Sequence, residues 1–276
     1  MINPRNYPSS KVDELINSAI GWINEGHKVA LLSLVSIEGN APYPVGTQML
    51  VCDDGQYKGQ ISGGCVETSL VQQAITVIRS GRNVVERYGL NSRFFDIKLP
   101  CGSGLDIEFD VQTSLDEYMR IAGKLRNRQS VVISNTKKYF PTPRILLFGQ
   151  GPIVQCLIEL ATMSGFDVLL FDHQQKMDFT SYCDEYTGLV SLFHEHEYEI
   201  DILSTAVQLP LFYIGALGSR KTHEARLEQL AEGGVKANQS KRIHAPIGVD
   251  INSQTPHQIA ISIIAQVISV MNRNES

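Results

Sequence analysis

The chain has 276 residues, of which 43% are hydrophobic and 19% charged, a composition typical of a globular protein with one large domain or two moderate ones. Its formal net charge of -5 argues against nucleic acid as a partner, because proteins that bind nucleic acid usually present a basic face. No apolar run reaches the roughly 18 residues of a membrane span, and the N-terminus lacks the apolar core of a signal peptide. We therefore expect a cytoplasmic protein that binds no membrane.

Five cysteines are spread through the chain: Cys52, Cys65, Cys101, Cys156 and Cys183. Their number is odd and no two form a CxxC pair, so in a reducing compartment we expect thiols rather than disulfides. The same spacing argues against a structural zinc site. Cys52, Cys156 and Cys183 are predicted to have only a structural role.

The first part of the chain, residues 1–112, is predicted to form a mixed α+β domain. An amphipathic run over residues 12–23 predicts a helix that is capped by Ser10 and Asp13 and ends near Gly26. The apolar stretches that follow predict a buried strand, a hairpin around the turn at 52–55, a helix that stops at Gly81, and short strands at 84–88, 94–99 and 105–111.

The remainder is predicted to be a connector followed by a second domain. Residues 113–142 contain a short helix, a strand and a polar segment with two prolines, where we place the domain boundary. Residues 143–276 open with strand 144–149, a helix and strand 166–173, the order of a βαβ unit in a parallel sheet. The predicted fold class is therefore α/β, with an N-terminal α+β domain followed by a Rossmann-like C-terminal domain.

One stretch does not fit this pattern. Residues 202–205 and 212–217 both have the character of short apolar strands, but only about six residues would join them, and a parallel crossover needs about a dozen or more. Either the two strands are not neighbours in this way, or a helix-sized segment is missing between Thr205 and Phe212. The last helix is clearer, since its first turn has an N-cap, an N1 proline and a capping-box partner in Thr255, Pro256 and Gln258.

Two glycines lie between the first strand and helix of the predicted βαβ unit. Gly149 and Gly151 would let the backbone turn sharply and approach a pyrophosphate, whose charge is favoured at a helix N-terminus. Asp172 closes the next strand, where an acidic side chain accepts a ribose hydroxyl in dinucleotide-binding proteins. Val154 occupies the third glycine position, so a Rossmann scaffold with an altered or empty pocket is the alternative.

A second loop of the same domain has the residues of a phosphate cradle. Backbone amides, hydroxyls and two cations converge where a strand meets a helix, at Gly218, Ser219, Arg220, Lys221 and Thr222. The alternative is a solvated helix start with a Ser or Thr cap. Arg242 and His244 are candidates for the same pocket, although His244 is equally suited to a structural role.

Two cysteines of the first domain lie in glycine-rich turns. Cys65 follows Gly63 and Gly64 and opens a helix, where the helix dipole favours a thiolate and thus a soft-metal ligand. Cys101, in the sequence Pro-Cys-Gly-Ser-Gly, lies in a tight turn that can present a side chain openly. The alternative for either is a small buried apolar residue. His194 and His196 have no ligand partner at a suitable spacing and are expected to face solvent.

Together these segments resemble the XdhC/CoxI family, the accessory proteins of xanthine dehydrogenase and carbon monoxide dehydrogenase. The resemblance is carried in order by PYPVGTQMLVCDDGQYKGQISGGCVE, PCGSG, RILLFGQGPI with LLFDH, YIGALGSRKTHEARLEQL and RIHAPIGVDINSQTPHQIAISIIAQ. The GALGSRKTHEARLEQL and HAPIGVDI blocks are the most specific. The matching segments are spread over nearly the whole chain.

The resemblance implies a chaperone that binds molybdenum cofactor (molybdopterin), protects it while a cysteine desulfurase supports its sulfuration, and delivers it to an apo-enzyme of the molybdenum hydroxylase class. It further implies a homodimer, and leaves open a nucleotide in the Rossmann cleft. The implied cofactor-binding residues are Gly63, Gly64, Cys65, Glu67, Cys101, Gly102, Gly149, Gly151, Asp172 and Gly218 to Thr222, with Cys65 and Cys101 as candidate molybdenum ligands.

Two other functions compete with binding and delivery. A nicotinamide-dependent oxidoreductase would use the Rossmann half, but no polar residue stands out to face a nicotinamide. A cysteine-based sulfurtransferase would carry a persulfide on Cys65 or Cys101. The cofactor-binding role requires one ligand shared between the cysteine turns and the phosphate-cradling loops.

Overall fold

The structure is a computed structural model, which describes residues 11–64, 66–92, 102–134, 136–171, 178–193 and 196–274. The chain divides into two compact units, Met1–Pro141 and Thr142–Ser276. Among the described residues, no helix has the length and apolar character needed to cross a membrane.

The described residues of the first unit form three helices and seven strands. In chain order they are α1 (Val12–Asn24), β1 (Val29–Glu38), β2 (Gln48–Cys52), β3 (Tyr57–Gly59), α2 (Glu67–Ser80), β4 (Val84–Gly89), β5 (Gly104–Asp110), α3 (Leu115–Arg126), β6 (Val131–Val132) and β7 (Lys138–Tyr139). The strands β1 to β5 form one antiparallel sheet in the order β3-β2-β1-β5-β4, and β6 pairs with β7.

The central strand β1 is apolar along most of its length because both of its faces are covered. Ala30, Leu32 and Leu34 point to a core that α2 completes. Val29 and Leu31, on the opposite face, pack with α1 and α3. Successive side chains of a strand point to opposite faces, and both faces of β1 are packed, so this segment has no polar face.

Several sequence predictions for this unit are confirmed. The hairpin is β2–β3, with Met49 opposite Gly59. The second helix ends at Gly81, which is left-handed with φ 66°, as expected of a C-terminal glycine. Lys11 is the residue before α1 and makes no side-chain cap there, while Ser10 and the predicted strand 94–99 lie outside the described residues.

The second unit contains five α-helices and five strands in the described part of the chain. They are β8 (Arg144–Phe148), α4 (Pro152–Met163), β9 (Asp167–Phe171), β10 (Thr187–Ser191), α5 (His196–Ala206), β11 (Tyr213–Ala216), α6 (Arg220–Glu232), α7 (Ala237–Ser240), β12 (Ile243–His244) and α8 (Pro256–Asn274). All neighbouring strands are parallel, in the order β12-β11-β10-β8-β9.

This strand order is that of a doubly wound Rossmann-type sheet. Counted from β9, the strands run 2-1-3-4-5, so the direction of winding changes between β8 and β10. The helices α4 and α8 cover one face of the sheet, and α5 and α6 cover the other. Ligands of such sheets bind beyond the carboxyl ends of the strands, at the switch point.

The predicted strand at 202–205 is wrong. These residues lie in α5, which runs from His196 to Ala206 and makes the crossover from β10 to the parallel strand β11. Buried positions recur at Glu199, Leu203 and Ala206, a helical spacing. The acidic residue at the first of them breaks the apolar pattern, which concealed the helix. The helix α5 therefore supplies the crossover, and the short stretch between Thr205 and Phe212 only joins that helix to β11.

The last helix begins as its sequence predicted. The Thr255 hydroxyl accepts from the Gln258 amide at 3.3 Å, and the Gln258 side chain accepts from the Thr255 amide at 3.3 Å. Ala260, Ile263, Ile264 and Val267 of this helix are buried against the sheet. The helix therefore serves as core packing.

Candidate functional site

In the first unit, the segments that flank both glycine-rich cysteine turns contact one loop after β1. Gly63 approaches Pro42, where an added Cβ would lie 3.8 Å from that ring. Ser103, in the second turn, accepts a hydrogen bond from the Asn40 amide at 3.0 Å and donates to the Asn40 carbonyl. The two turns therefore lie at the same end of the antiparallel sheet.

The glycines of these turns have conformations that other residues rarely adopt. Gly63, Gly64 and Gly102 have φ values of 75°, 105° and 66°. All three are exposed, and a Cβ on Gly64 or Gly102 would meet nothing within 4 Å. The turns consequently present open backbone at one end of the antiparallel sheet.

The carboxylate of Glu67, which the family resemblance assigned to cofactor binding, is surrounded by hydrogen-bond donors of its own loop. Its carboxylate accepts from the amides of Ile61, Ser62, Gly64 and Val66 at 2.8–3.3 Å and from the Ser62 hydroxyl at 2.6 Å. The side chain is buried. Burial tends to raise the pKa of Glu67, but the hydrogen bonds from Ser62 and its neighbours outweigh that effect and lower the pKa. Glu67 thus fixes the backbone on both sides of position 65.

This arrangement changes the physical argument for Cys65. The amides of Gly64 and Val66, which precede α2, point at the Glu67 carboxylate. A buried negative charge therefore opposes the favourable effect of the helix dipole on a thiolate at position 65. The start of α2 already has an anion, so it is not a free helix N-terminus.

In the second unit, Gly149 and Gly151 follow β8 at the switch point. Gly149 has φ 136°, and a Cβ there would come within 3.1 Å of the Leu192 backbone, so the two loops touch. Gly151 has φ 96° with nothing within 4 Å of its Cβ position, which leaves room for a ligand beside the start of α4. Val154, in the third glycine position, is buried in the core.

The loop from Gly218 to Thr222 follows β11, two strands from β8 and hence roughly 10 Å away along the same edge of the sheet. Ser219 is the N-cap of α6, and its hydroxyl accepts from the Thr222 amide at 3.1 Å. The first helical bond runs from His223 to Ser219, so the amides of Arg220 and Lys221 lie ahead of it. Both of these cationic side chains are exposed.

A buried ion pair lies directly beneath this loop. Arg226 and Glu199 are each 1% exposed, and the guanidinium donates to the carboxylate at 2.9 and 3.1 Å. Arg226 also donates to the Leu217 carbonyl at 2.7 Å, and Ser191 donates to Glu199 at 2.7 Å. The pair therefore ties α5, α6 and the ends of β10 and β11 together under the cradle.

Two nitrogen atoms in this region are buried without a hydrogen-bond partner among the described residues: Nδ1 of His223 and Nη1 of Arg226. Burial, and then the charge of Arg226, lowers the pKa of His223. The sequence did not single out Glu199, His223 or Arg226, because nothing local marks a charged residue as buried.

Arg242 and His244 do not join this loop as the sequence suggested. Arg242 donates to the carbonyls of Val207, Leu209 and Leu211 at 2.7–3.0 Å, which closes the end of α5. His244 stacks on Tyr213, with ring centroids 4.9 Å apart. Both residues therefore have structural roles: the Arg242 guanidinium is taken up by three backbone carbonyls, and the His244 ring is stacked on an aromatic ring.

Three predicted site residues lie outside the described part of the chain: Cys65, Cys101 and Asp172. So do His194 and the side chain of His196, which were expected to face solvent. The described cysteines Cys52, Cys156 and Cys183 are free thiols. Cys156 packs against the core of the second unit, and Cys183 donates to the Phe179 carbonyl at 3.4 Å.

Comparisons with known proteins agree with this two-part architecture. Residues 22–89 match the model of the XdhC and CoxI family, and residues 145–267 match that of the XdhC Rossmann domain. A crystal structure of a xanthine dehydrogenase from Bacillus halodurans has a TM-score of 0.74 to this chain at 20% sequence identity, over 96% of each chain. The two share a fold.

Sequence relatives extend over almost the full length. The molybdenum cofactor insertion chaperone PaoD of Escherichia coli K12 is 31% identical, over 95% of this chain and 89% of PaoD. A protein of Bacillus subtilis 168 described as a probable xanthine dehydrogenase subunit is 22% identical, over 91% of this chain and 96% of that protein. This chain therefore belongs to the XdhC and CoxI family.

Proposed function

We propose that this protein is a cytosolic accessory protein that binds molybdenum cofactor, assists its sulfuration and inserts it into a molybdenum hydroxylase of the xanthine dehydrogenase type. The proposal is consistent with its relationship to PaoD, which is named as an insertion chaperone for that cofactor. The cofactor is cargo, and the protein acts by binding and transfer. A cysteine desulfurase, the apo-hydroxylase and a second copy of the chain are the proposed partners.

The observation that carries the proposal is the anion cradle at the start of α6. The first turn of α6 contains two cations and no acidic residue. Cations at a helix N-terminus are electrostatically unfavourable without an anion nearby. A phosphate group would relieve this cost and accept hydrogen bonds from the amides of Arg220 and Lys221. Molybdopterin has such a phosphate.

The cysteine turns of the first unit supply the second part of the proposal. Molybdenum bound to a dithiolene is a soft centre, and a thiolate is the protein ligand that suits it. We propose Cys65 and Cys101 as ligands that hold the metal or relay sulfur. The contact of both turns with the loop at residues 39–42 supports this assignment.

The test is the pterin content of protein purified anaerobically from cells that make the cofactor. Oxidation converts bound molybdopterin to fluorescent derivatives, which are measured per chain. We expect pterin in the unaltered protein and a loss of about tenfold or more in Cys65→Ser, in Cys101→Ser and in Arg220→Ala/Lys221→Ala, because each removes a direct contact.

The matched controls are Cys183→Ser for the thiols and Lys241→Ala for the cations, and both should keep their pterin. If the unaltered protein contains no pterin under these conditions, the proposal is wrong. Titration with NAD(H) and NADP(H), and intact-mass measurement of a persulfide, would identify the oxidoreductase and sulfurtransferase alternatives.

A further inference from the structure

Three potential metal ligands of different chemical types meet at the end of the first sheet opposite the glycine turns. The ligand atoms of His27, Cys52 and Asp53 all lie within 4.8 Å of one another. His27 Nδ1 is 2.8 Å from Asp53 Oδ1, and the Cys52 sulfur is 3.5 Å from the same oxygen. This cluster has no part in the proposed cofactor site, because it lies at the opposite end of the strands.

The backbone fixes the cluster in place. Cys52 is the last residue of β2 and pairs with Val29 at the start of β1. The Asp53 amide donates to the Lys28 carbonyl at 2.9 Å, and the Lys28 amide donates to the Asp53 carboxylate at 3.1 Å. Two adjacent strand ends therefore present the three side chains without a flexible loop between them.

We propose that His27, Cys52 and Asp53 form a binding site for a divalent metal ion of borderline softness, with zinc as the preferred ion. An imidazole nitrogen, a thiolate and a carboxylate are the three ligand types that zinc accepts. With metal–ligand bonds of about 2.0–2.3 Å, tetrahedral ligand atoms lie roughly 3.3–3.8 Å apart. The side chains need to move by only about 1 Å to reach this geometry.

The site is open on one side and has a negative local field. Cys52 is buried, whereas the side chains of His27 and Asp53 are 36% and 34% exposed. The carboxylates of Asp53, Asp54 and Glu25 lie near His27 and give this end of the sheet a negative field, which attracts a cation. Three protein ligands leave the fourth coordination position to water, as in zinc sites that exchange ligands.

Binding replaces protons with the metal ion. In the metal-free protein, hydrogens connect both His27 and Cys52 to the Asp53 carboxylate. On binding, the thiol proton leaves to solvent and sulfur bonds to the metal. The His27 ring proton shifts from Nδ1 to Nε2 through solvent, which frees the Nδ1 lone pair to coordinate the metal. The metal then clamps the turn after β2 onto the start of β1.

The experiment uses tag-free full-length protein, stripped with a chelator and titrated with Co²⁺ and then Zn²⁺. A thiolate ligand gives Co²⁺ a sulfur-to-metal charge-transfer band in the near ultraviolet, and Zn²⁺ should abolish that band by competition. We expect one equivalent of Co²⁺ to bind. His27→Gln and Asp53→Asn should weaken binding by about tenfold or more, and Cys52→Ala should remove the band. Zn²⁺ should also raise the thermal midpoint of the unaltered protein.

Two controls separate this site from the proposed cofactor ligands. Cys65→Ser/Cys101→Ser and Cys183→Ala should both keep the Co²⁺ band. Because Cys52 is buried and its replacement can perturb folding, the partly exposed His27→Gln variant provides the decisive comparison. The proposal is overturned if the unaltered protein gives no Co²⁺ band, if His27→Gln binds as tightly as the unaltered protein, or if Cys65→Ser/Cys101→Ser abolishes the band. Failure here leaves the pterin test unaffected.

Discussion

At the scale of single residues, the carboxylate of Glu67 organises the turn that contains Cys65. Five donors from the segment 61–66 converge on its two oxygens. Hydrogen bonds to a charged acceptor are each worth about 1.5–3 kcal/mol, and a buried donor that loses its acceptor costs a similar amount. The residue therefore controls the local structure beside the proposed cofactor ligand Cys65.

Replacing Glu67 by Gln should destabilise this turn. One amide –NH2 group would face amide donors instead of an acceptor, so we expect a loss of about 2–3 kcal/mol in the free energy of unfolding. Chemical denaturation measures this loss, and the rate of Cys65 alkylation, followed by mass spectrometry, should change with it. Glu117→Gln, which breaks a partly exposed pair with Arg120, should cost under about 1 kcal/mol. Equal costs for the two variants would contradict the assigned role.

At the scale of secondary-structure elements, the Arg226–Glu199 pair holds two helices to the edge of the parallel sheet. Arg226→Met leaves Glu199 buried without its guanidinium partner, which should cost about 3–5 kcal/mol. Adding Glu199→Gln should restore part of the stability, because the uncompensated charge is removed. A double-mutant cycle by denaturation measures this coupling. Additive losses would show that the two side chains stabilise the fold independently.

A second buried pair joins Asp110, the last residue of β5, to Lys137 just before β7, and makes the first unit sensitive to acid. Burial tends to raise the pKa of Asp110, but hydrogen bonds from Lys137 and from residues 112–113 prevail and lower it from 3.8 to about 2. The folded state therefore binds this proton less readily than the unfolded state does. The resulting stability, roughly 2 kcal/mol, is present above about pH 4 and is lost as the pH falls through about 2.

Denaturation at a series of pH values tests this linkage. The unaltered protein should lose stability progressively as the pH falls from about 4 towards 2, and Asp110→Asn should be less stable at neutral pH but lose less over that interval. An identical pH dependence in both proteins would show that other carboxyl groups are responsible.

At the scale of the whole molecule, cargo binding should stabilise the native chain. A ligand at one hundred times its dissociation constant adds about 2.7 kcal/mol to the free energy of unfolding. Anaerobic thermal unfolding with molybdenum cofactor should therefore show a higher midpoint, and raised salt should reduce the gain because part of the binding is electrostatic. Arg220→Ala/Lys221→Ala should reduce the shift, whereas Lys241→Ala should not. If the cofactor raises the thermal midpoint equally in Arg220→Ala/Lys221→Ala and in Lys241→Ala, the phosphate binds at another place.

The sequence alone determined most of the architecture and the location of the loops. Alternating and helical apolar patterns identified the β2–β3 hairpin, the unit from β8 to β9 and the last helix, because burial on one face depends on neighbours only a few residues away. Glycines after strands identified the turns at 63–64, 149–151 and 218, because a positive φ is a local requirement.

Only the tertiary structure decided which side chains pair. Residues 202–205 lie in a crossover helix, and the Glu67 carboxylate accepts hydrogen bonds from its own loop. Arg226 forms a buried ion pair with Glu199, and His27 lies close to Cys52 and Asp53. The Arg226–Glu199 and His27–Asp53 pairs depend on contacts between residues distant in sequence, and the burial of Glu67 depends on its exclusion from water. The local sequence pattern predicts neither the contact nor the burial, because it is the same for a charged side chain in solvent and for one buried with a partner.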